Sequence, residues 1–492
     1  MIHLRPIMLA GTGSDVGKSL IATGLCRIFR QDGYRPAPFK AQNMALNSYV
    51  TPDGLEIGRA QAVQAEAAGV ECSADMNPLL LKPNSDHTSQ IVLLGRPHGN
   101  QAAYSYFRRE GREELRAVVN AAFDRLSTCY NPIVLEGAGS ISELNLVDSD
   151  LVNMPMARHA DADVLLVADI DRGGVFASVY GSVMLQSPDD RRRIKGIIIN
   201  KFRGDLRLFE SGVAMLERLT GVPVLGVVPY SRDFVIDPED SVSLDTKPVR
   251  PADGAFNVAV VRLAHLSNFT DFDRLERTPG VNLYYTDRPE CLERADAILL
   301  PGTKSTIADL IDLRDKGLEP VISRAVERGK PIWGICGGYQ MMGTTIADPD
   351  GVEGPPATVA GLGLLPVTTI LTADKRTRRA TFTHEGTDDV CEGYEIHMGR
   401  SCREGGEPVA RLDDGRDDGC RLGWSVVGSY MHGMLDNRSL IDLLHKVAGR
   451  PVPPPAPSQR EFKEHQYDLL ADHLRRHIDI DRLYGIMKGG GV

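Results

Sequence analysis

A glycine-rich loop directly after a short apolar run constrains the fold of this chain more than any other feature. The apolar run is RPIMLA, and the loop that follows it at residues 11–19 is GTGSDVGKS. A loop of this composition turns its backbone N–H groups inward around phosphate oxygens, its lysine adds a positive charge, and its final hydroxyl group can bind Mg²⁺. The helix-like run SLIATGLCRIFR comes next. The sequence therefore predicts an α/β fold in which a strand leads through a nucleotide-binding loop into a helix.

The spacing within this loop departs from the standard pattern G-x₄-G-K-S/T. Thr12 stands where the first glycine is expected, and Gly11 lies one residue earlier. We therefore expect a variant phosphate-binding loop; the alternative is a plain strand-to-helix turn that binds no ligand. The residues predicted to bind the nucleotide are Gly11, Thr12, Gly13, Ser14, Asp15, Val16, Gly17, Lys18 and Ser19.

Further apolar runs indicate two α/β domains. The first half contains RPIMLAG, PAPFKA, PIVLEGAG, DVLLVADI, IKGIIIN and VPVLGVVP, and the second half contains NVAVVRL, DAILLPG and PIWGIC. Continuous apolar strands separated by crossovers are typical of parallel sheets covered on both faces. We predict two doubly wound, mostly parallel-sheet domains over residues 1–246 and 256–446, joined by a polar linker near residues 245–256.

Residues 447–492 are predicted to form a proline-rich spacer and a helical tail. The run AGRPVPPPAPS is stiff because consecutive prolines hold the chain near polyproline II. Ser458 and Glu461 then form a capping box that opens a helix through about residue 477. We expect this helix to pack onto a domain through Phe462, Leu469, Leu470 and Leu474.

Composition excludes several classes of function. The chain has 492 residues and a formal net charge of −10 without a long basic run, so nucleic acid is not an expected partner. No apolar stretch approaches the roughly 18 residues of a membrane helix, so we expect a cytoplasmic protein. The eight cysteines show no CxxC pairing, which argues against a disulfide framework and a structural zinc site.

One cysteine lies between glycines, in the sequence GICGGYQMMG at residues 334–343. The pattern Gly334-x-Cys336-x-Gly338 is a nucleophile elbow with sulfur in place of oxygen, and small neighbours allow its strained strand-to-helix turn. A thiol at a helix N-terminus is favoured as thiolate, the form that attacks a carbonyl carbon. The alternative is a buried structural thiol, since free cysteine is usually buried. Only this cysteine has the glycine frame, so we predict a catalytic role for Cys336.

The variant loop resembles the dethiobiotin-synthetase-like branch of P-loop enzymes, which phosphorylate a carboxylate with ATP. The resemblance implies that Lys40 points toward the transferring phosphate and that Glu136 joins Ser19 in binding Mg²⁺. It also implies that Asn200 and Lys201 lie against the nucleotide base. Each residue alone could be an ordinary surface charge or turn. Together they follow successive strand ends, where open α/β sheets bind ligands.

The cysteine pattern Cys-x-Gly-x-Gln, with a histidine downstream, resembles the class I glutamine amidotransferase domain. The resemblance implies that His432 is the base, that Gln340 contacts the substrate glutamine, and that the N–H groups of Gly302 and Gly337 form the oxyanion hole. The usual domain has a glutamate two residues after the histidine, where this chain has Met434. Either another group orients His432, or the site is assembled only by a further event.

The two predicted sites complement each other chemically. A carboxylate does not react with ammonia in water, so amide synthesis needs an activated acyl group and a protected nitrogen source. A P-loop domain can supply the acyl phosphate, and a cysteine-histidine site can release ammonia from L-glutamine. The sequence therefore predicts an ATP-dependent, glutamine-using amide synthase.

A set of motifs along nearly the whole chain resembles the cobyric acid synthase family. The motifs are GTGSDVGKS, KAQNMALNS, KPNSDHTSQIVLLGRP, EGAGSISELNL, DLVNM, DIDRGGVFAS, INKFRGD, LPGTKST, GICGGYQMMG, GYEIHMGR and MHGML. The resemblance implies amidation of the b, d, e and g carboxylates of adenosylcobyrinic acid a,c-diamide. It also explains Met434, because that family lacks the glutamate after the histidine.

Some family motifs have no role that their chemistry predicts. The polar side chains of Gln42, Asn43, Glu395 and His397 either face the corrin or the space between the sites, or are satisfied structural groups. Two other functions remain open at this stage. One is the sister a,c-diamide synthase, which amidates other carboxylates. The other is a P-loop switch protein whose second domain is a scaffold.

Overall fold

The computed structural model describes residues 2–85, 88–102, 112–237, 244, 247–385, 387 and 389–489. Residues 245 and 246 of the predicted linker, residues 86 and 87 of one family motif, and the last three residues of the tail lie outside this set. No helix in the described residues is long and apolar enough to cross a membrane.

Six parallel strands form the central sheet of the first domain. In spatial order they are Val224–Pro229, Ile194–Phe202, Asp163–Asp169, Ile7–Gly11, Ile133–Glu136 and Ala37–Phe39. They correspond to the six apolar runs of the first half, so the predicted parallel sheet is confirmed. The strand that leads into the glycine-rich loop lies at the centre of the sheet.

Helices cover both faces of this sheet. They are Lys18–Gln31, Arg59–Ala68, Arg112–Cys129, Met154–His159, Val175–Met184, Pro188–Arg193 and Glu210–Thr220, with 3₁₀ turns at Ala74–Met76, Leu144–Ser149 and Leu206–Phe209. In the central strand, Met8 packs into one hydrophobic core and Leu9 into the other. Successive strand residues point to opposite faces, so a continuously apolar strand serves both cores.

Two smaller sheets extend the first domain and were not predicted. One contains Gln42–Met44, Leu79–Ser85, Thr88–Leu93 and Arg96–Ala102, and the other is a hairpin of Ser48–Val50 and Glu56–Gly58. The strands are short, and turn residues interrupt them, so their hydrophobic pattern is weak. The hairpin lies against the second domain.

The second domain is built on a second, mostly parallel sheet. Its order is Val281–Thr286, Phe256–Val261, Ala297–Leu300, Ile332–Ile335, Val426–Ser429 and Cys420–Leu422, and only the last strand is antiparallel to its neighbour. Its helices are Asp273–Glu276, Pro289–Glu293, Thr306–Asp315, Glu319–Glu327, Gly337–Met342 and Arg438–Val447, with 3₁₀ turns at Phe269–Phe272 and Met434–Asp436. The prediction of two α/β domains is thereby confirmed.

A mixed sheet of seven strands also belongs to the second domain. Its strands are Thr345–Asp348, Ala357–Ala360, Val367–Thr383, Cys391–Arg403, Ala410–Leu412, Asp417–Asp418 and Met431–His432. The long antiparallel pair Val367–Thr383 and Cys391–Arg403, here called the interdomain hairpin, meets the first domain. Its Arg379 donates from Nε to the carbonyl oxygen of Val50 at 2.7 Å.

The C-terminal tail folds back onto the first domain. Its helices are Gln459–His477 and Ile480–Met487, and the predicted capping box of Ser458 and Glu461 is present. Leu470 and Leu474 pack against the helix Lys18–Gln31, as expected. Phe462 and Leu469 are partly buried, and the guanidinium of Arg277 in the second domain lies 4.1 Å from the ring centroid of Phe462. The fully buried residues of the helix include Tyr467, Leu470, Ala471 and Leu474, which follow the spacing of one helix face.

Candidate active sites

The phosphate-binding loop is closed around the side chain of its lysine. Lys18 Nζ donates to the carbonyl oxygens of Gly13 at 2.9 Å and Gly139 at 3.1 Å. A Cβ atom at Gly11 would lie 2.9 Å from the carbonyl oxygen of Gly13 and 3.0 Å from that of Gly139, besides 2.8 Å from Lys18 Nζ. The backbone around the lysine therefore leaves room only for glycine at position 11, which is the displaced glycine of the variant loop.

The other residues of the loop differ in whether their backbone N–H groups are free to bind a phosphate. The N–H of Thr12 donates to the carbonyl oxygen of Val167 at 3.0 Å, so this group is engaged in the sheet. Ser14 and Asp15 are exposed at the tip of the loop. Gly17 has φ +98°, a left-handed conformation that favours glycine.

Asn200 and Lys201 contact the loop from the end of the neighbouring strand. Asn200 Nδ2 donates to the carbonyl oxygen of Val16 at 2.8 Å, and Lys201 Nζ donates to the carbonyl oxygen of Asp15 and lies 2.9 Å from Asp169 Oδ2. A Cβ atom at Gly17 would lie 2.1 Å from Asn200 Nδ2. Both residues therefore hold the loop in place, and their contact with a nucleotide base stays a prediction.

Glu136 is the last residue of the strand Ile133–Glu136, and its carboxylate accepts hydrogen bonds from three side chains near the phosphate-binding loop. Its Oε1 accepts from Ser19 Oγ and from Lys40 Nζ, both at 2.8 Å, and its Oε2 accepts from Gln64 Nε2 at 2.6 Å. The carboxylate is 1% exposed. Magnesium prefers oxygen ligands and keeps several waters, so the Ser19 hydroxyl and the Glu136 carboxylate together with phosphate oxygens fit Mg²⁺. The described part of the chain contains no cluster of three or more His, Cys, Asp or Glu that could hold a metal by itself.

Cys336 lies on a strained turn between the strand Ile332–Ile335 and the helix Gly337–Met342. Its φ of 52° and ψ of −108° are rare for a residue with a side chain. A Cβ atom at Gly338 would lie 2.1 Å from the carbonyl oxygen of Leu300. The turn is therefore possible only with a small residue there, as a nucleophile elbow requires.

His432 is held by a carboxylate that sequence reasoning missed. Asp271 Oδ2 accepts from Nδ1 of the imidazole at 2.7 Å, and Asp271 Oδ1 accepts from the N–H of Gly433 at 3.0 Å. Burial disfavours the charged imidazole, but the charge and hydrogen bond of Asp271 and the contact with Cys336 outweigh it and raise the pKa of His432 to about 10. Met434, at the position of the usual glutamate, packs in the core.

The surroundings of Cys336 and His432 are narrow. The ring of Tyr394 stacks on the imidazole with centroids 5.2 Å apart. The thiol of Cys336 donates to the carbonyl oxygen of Ile396 at 3.4 Å. A Cβ atom at Gly302 would lie 3.2 Å from His432 Cε1, so the predicted oxyanion-hole residue Gly302 borders the imidazole.

Gly337 and Gln340 lie on the helix that follows the nucleophile. A Cβ atom at Gly337 would lie 2.6 Å from Thr303 Cγ2, so the two predicted oxyanion-hole segments meet closely. Gln340 Nε2 donates to the carbonyl oxygen of Met398 at 3.0 Å and to Tyr430 Oη at 3.2 Å, and Gln340 Oε1 accepts from Thr306 Oγ1 at 3.0 Å. The side chain is thus fixed beside Cys336.

A cavity of about 1270 Å³ opens beside this site. Of the four polar residues for which the sequence predicted no definite role, two line this cavity, namely Glu395 and His397. His397 stacks on Tyr430 at 3.7 Å between centroids, and both line the cavity with Glu395. Glu395 accepts from Arg416 at 2.9 Å. Burial raises the pKa of Glu395, but His397 and Arg416 outweigh it and lower that pKa to about 2.

Gln42 and Asn43 do not join this cavity. They lie on the strand Gln42–Met44 of the first domain. Asn43 is 3% exposed and its Nδ2 donates to Gln61 Oε1 at 3.0 Å. Asn43 therefore has a structural partner within the first domain, and a contact of Gln42 or Asn43 with the corrin stays a prediction.

Comparisons with known proteins agree with this architecture. The CobQ/CobB/MinD/ParA nucleotide binding domain matches residues 7–244, and the CobB/CobQ-like glutamine amidotransferase domain matches residues 257–440. Cobyric acid synthase of Phocaeicola vulgatus is 63% identical over 491 residues, which is 99% of each chain. The chain belongs to the cobyric acid synthase family.

Other members of the family match over the same length. Cobyric acid synthase of Bacteroides fragilis is 62% identical over 488 residues, and that of Syntrophobacter fumaroxidans is 48% identical over 508 residues, with at least 98% of each chain covered. The crystal structure of a glutamine amidotransferase is 26% identical, covers 39% of this chain and 98% of its own, and has a TM-score of 0.31. As a member of the cobyric acid synthase family, the chain is an enzyme, a ligase with a glutamine amidotransferase domain.

Proposed function

We propose that this enzyme amidates the b, d, e and g carboxylates of adenosylcobyrinic acid a,c-diamide, using ATP, Mg²⁺ and L-glutamine, and so forms adenosylcobyric acid. One observation carries the proposal. A single chain holds a phosphate-binding loop with a buried Glu136 and, in its second domain, Cys336 on an elbow beside His432 and Asp271. The first arrangement suits acyl phosphate formation, and the second suits release of ammonia from an amide.

In the first domain, the loop N–H groups and Lys18 would bind the phosphates of ATP. A corrin carboxylate would attack the γ-phosphorus, and ADP would leave, so that an acyl phosphate results. Mg²⁺, held by Ser19 and Glu136, would neutralise charge on the phosphate oxygens. Lys40, which lies 2.8 Å from Glu136 Oε1, would stabilise the transferring group.

In the second domain, Cys336 would attack the side-chain amide of glutamine while His432 accepts the thiol proton. The N–H groups of Gly302 and Gly337 would stabilise the oxyanion. His432 would return the proton to the departing ammonia, and water would then hydrolyse the thioester to glutamate. Asp271 orients the imidazole and stabilises its charged form.

We also propose that glutamine enters through the 1270 Å³ cavity beside Gln340, and that released ammonia is consumed at the acyl phosphate. We further propose that the synthetase domain spans residues 1–246, the glutaminase domain residues 256–446 and the tail residues 447–492. We also propose that the enzyme is cytoplasmic. All eight cysteines lie in the described residues and all are free, in keeping with a reducing compartment.

Mass spectrometry of the corrin product tests the proposal. Cobyrinic acid and its a,c-diamide are supplied separately with ATP, Mg²⁺ and glutamine, and only the a,c-diamide should gain four amides. Cys336→Ala should lose glutamine-driven amidation but keep amidation from high ammonium at alkaline pH. Cys291→Ala, a buried cysteine of the same domain, is the matched control. Consumption of cobyrinic acid itself would assign the sister diamide synthase, and no corrin product at all would favour a P-loop switch.

A further inference from the structure

Two residues of the first domain reach into the glutaminase site of the second. The N–H of Asn268 donates to Asn47 Oδ1 at 2.8 Å, and the N–H of Ser48 donates to Asn268 Oδ1 at 3.1 Å. Asn47, Ser48 and Asn268 are at most 4% exposed. Buried hydrogen bonds of this kind are costly to leave unmade, so they fix the two segments against each other.

Asn268 also faces the catalytic base. Its Nδ2 lies 3.5 Å from His432 Nε2. Because the side-chain oxygen already accepts from Ser48, the NH₂ group is the part that faces the imidazole. An amide donor there opposes the charged imidazole and so acts against Asp271, which raises the pKa of His432. When the imidazole is neutral, the donor favours the tautomer with a lone pair on Nε2 and the proton on Nδ1, toward Asp271, which is the form that can take a proton from Cys336.

The backbone of Asn268 depends on these contacts. Its φ of 53° lies in the left-handed region, which residues with side chains rarely adopt, although asparagine tolerates it best. The bonds to Asn47 and Ser48 come from the other domain and offset this strain. If these bonds were lost, the 3.5 Å contact with His432 would be the one described hydrogen bond left to orient the Asn268 side chain.

Asn47 is in turn anchored to the framework of the ATP site. Its carbonyl oxygen accepts from the N–H of Arg59 at 3.2 Å, at the start of the helix Arg59–Ala68. The same helix carries Gln64, which donates to Glu136. The contact that orients the glutaminase base therefore starts from the element that also touches the proposed Mg²⁺ ligand.

We propose that Asn47 and Ser48 position Asn268, and through it His432, so that glutamine hydrolysis depends on the contact between the two domains. The inference rests on the proposed roles of Cys336 and His432. Asn47 and Asn268 are positioning residues, since neither touches the reacting atoms of glutamine. Because glutamine hydrolysis would require contact with the synthetase domain, ammonia would be released only when the acyl phosphate site is nearby to consume it.

The first test uses Asn47 variants of the full-length enzyme. Asn47→Ala should lower kcat for glutamine hydrolysis by at least about tenfold, because supporting hydrogen bonds of this kind contribute 10- to 100-fold. KM for glutamine and amidation from ammonium should change less than about twofold. Asn47→Asp should restore most of the rate, since a carboxylate oxygen still accepts from the Asn268 N–H. Gln459→Ala removes a remote bond to Arg277 between the tail and the second domain and is the control.

The second test measures the pH profile of glutamine hydrolysis in Asn268→Gly. Glycine keeps the left-handed backbone but removes the donor facing Nε2, so the titration of His432 should move up by about half a pH unit. An unchanged profile, or equal loss of both nitrogen sources in Asn47→Ala, would overturn the inference. Cys336→Ala is assayed in parallel. If Cys336→Ala keeps full glutamine-driven amidation, the proposed function itself is refuted. If Cys336→Ala loses this activity while Asn47→Ala keeps it, only the inference is refuted.

Discussion

Asp271 and His432 form a buried pair, with 2.7 Å between Asp271 Oδ2 and Nδ1 of the imidazole, although 161 residues separate them in the sequence. The second carboxylate oxygen accepts from the N–H of Gly433, so both oxygens are engaged. An acid fixed in this way can stabilise a positive imidazolium. The absence of a glutamate two residues after His432 therefore does not leave the base without a partner.

Asp271→Asn should lower glutamine-driven amidation by about two to four orders of magnitude, because the amide cannot stabilise the imidazolium and can favour the wrong tautomer. Amidation from ammonium should persist. The charge of Asp271 holds the pKa of His432 up near 10, so its removal should shift the loss of that proton to lower pH in the rate profile of glutamine hydrolysis.

The matched control for this pair is Asp124→Asn. Asp124 Oδ1 lies 2.8 Å from His159 Nε2 on the surface of the first domain, so the same substitution breaks a histidine contact away from both sites. It should leave both nitrogen sources unchanged. If Asp271→Asn kept its glutamine-driven rate, Asp271 would have no part in catalysis.

The central sheets and the glycine loops were predictable because each is encoded locally. A strand such as Ile7–Gly11 is a continuous apolar run, and the loop after it carries its own conformational requirements in Gly11 and Gly17. The strand ends place Glu136 and Asn200 near the loop as a consequence of parallel topology. Local pattern and connection rules suffice for these features.

Asp271 could not be predicted in the same way. It lies in the sequence NFTDFD between the first strand of its domain and a short helix, where neither periodicity nor a glycine frame singles it out. Its role arises from the tertiary packing of that turn against His432. The same is true of Asn47 and Asn268, whose contact joins two domains. The one sequence signal was the unexplained family motif KAQNMALNS, which contains Asn47.

Gly338→Ala should damage the glutaminase site specifically. The added Cβ atom would lie 2.1 Å from the carbonyl oxygen of Leu300, so the elbow must shift, at a cost of about 1–3 kcal/mol in stability. A displacement of Cys336 by about 1 Å can reduce glutamine-driven amidation about 100-fold. Gly181→Ala, in a helix with open space around the position, is the control for thermal unfolding and both assays. An active, normally stable Gly338→Ala would contradict the elbow.

Glu136→Gln should raise the Mg²⁺ concentration needed for half-maximal amidation by at least about tenfold, because a neutral amide is a poorer ligand than a carboxylate. It also leaves the Lys40 ammonium without its 2.8 Å counter-charge. Glutamine-driven and ammonium-driven rates should fall together, since both need the acyl phosphate. The measurement is initial rate against Mg²⁺, with the exposed Glu113→Gln as control. A full rate at low Mg²⁺ would remove Glu136 from the metal site.

A buried ion cluster joins the two domains next to the glutaminase site. Glu56 Oε1 accepts from Lys82 Nζ at 2.8 Å, and Glu56 Oε2 accepts from Lys375 on the interdomain hairpin. Burial, with the charges of Lys82 and Lys304, lowers the pKa of Lys375 to about 8 although Glu56 opposes this. The pKa of Glu56 is held below its ordinary value, because both lysines together outweigh the effect of burial.

Glu56→Gln should destabilise the enzyme by about 3–5 kcal/mol at pH 7, because two buried ammonium groups lose their partner. A depressed carboxylate pKa gives stability that is present above about pH 4.5 and is lost as the pH falls toward the folded-state value. The deficit of the variant should instead shrink as the pH rises through about 8, where Lys375 loses its charge. Urea unfolding midpoints at pH 7 and pH 10 measure this, with Glu293→Gln, a partly exposed glutamate in the same domain as Lys375, as a control costing at most about 1 kcal/mol. A deficit that is equal at both pH values would show that charge on Lys82 and Lys375 is not its cause.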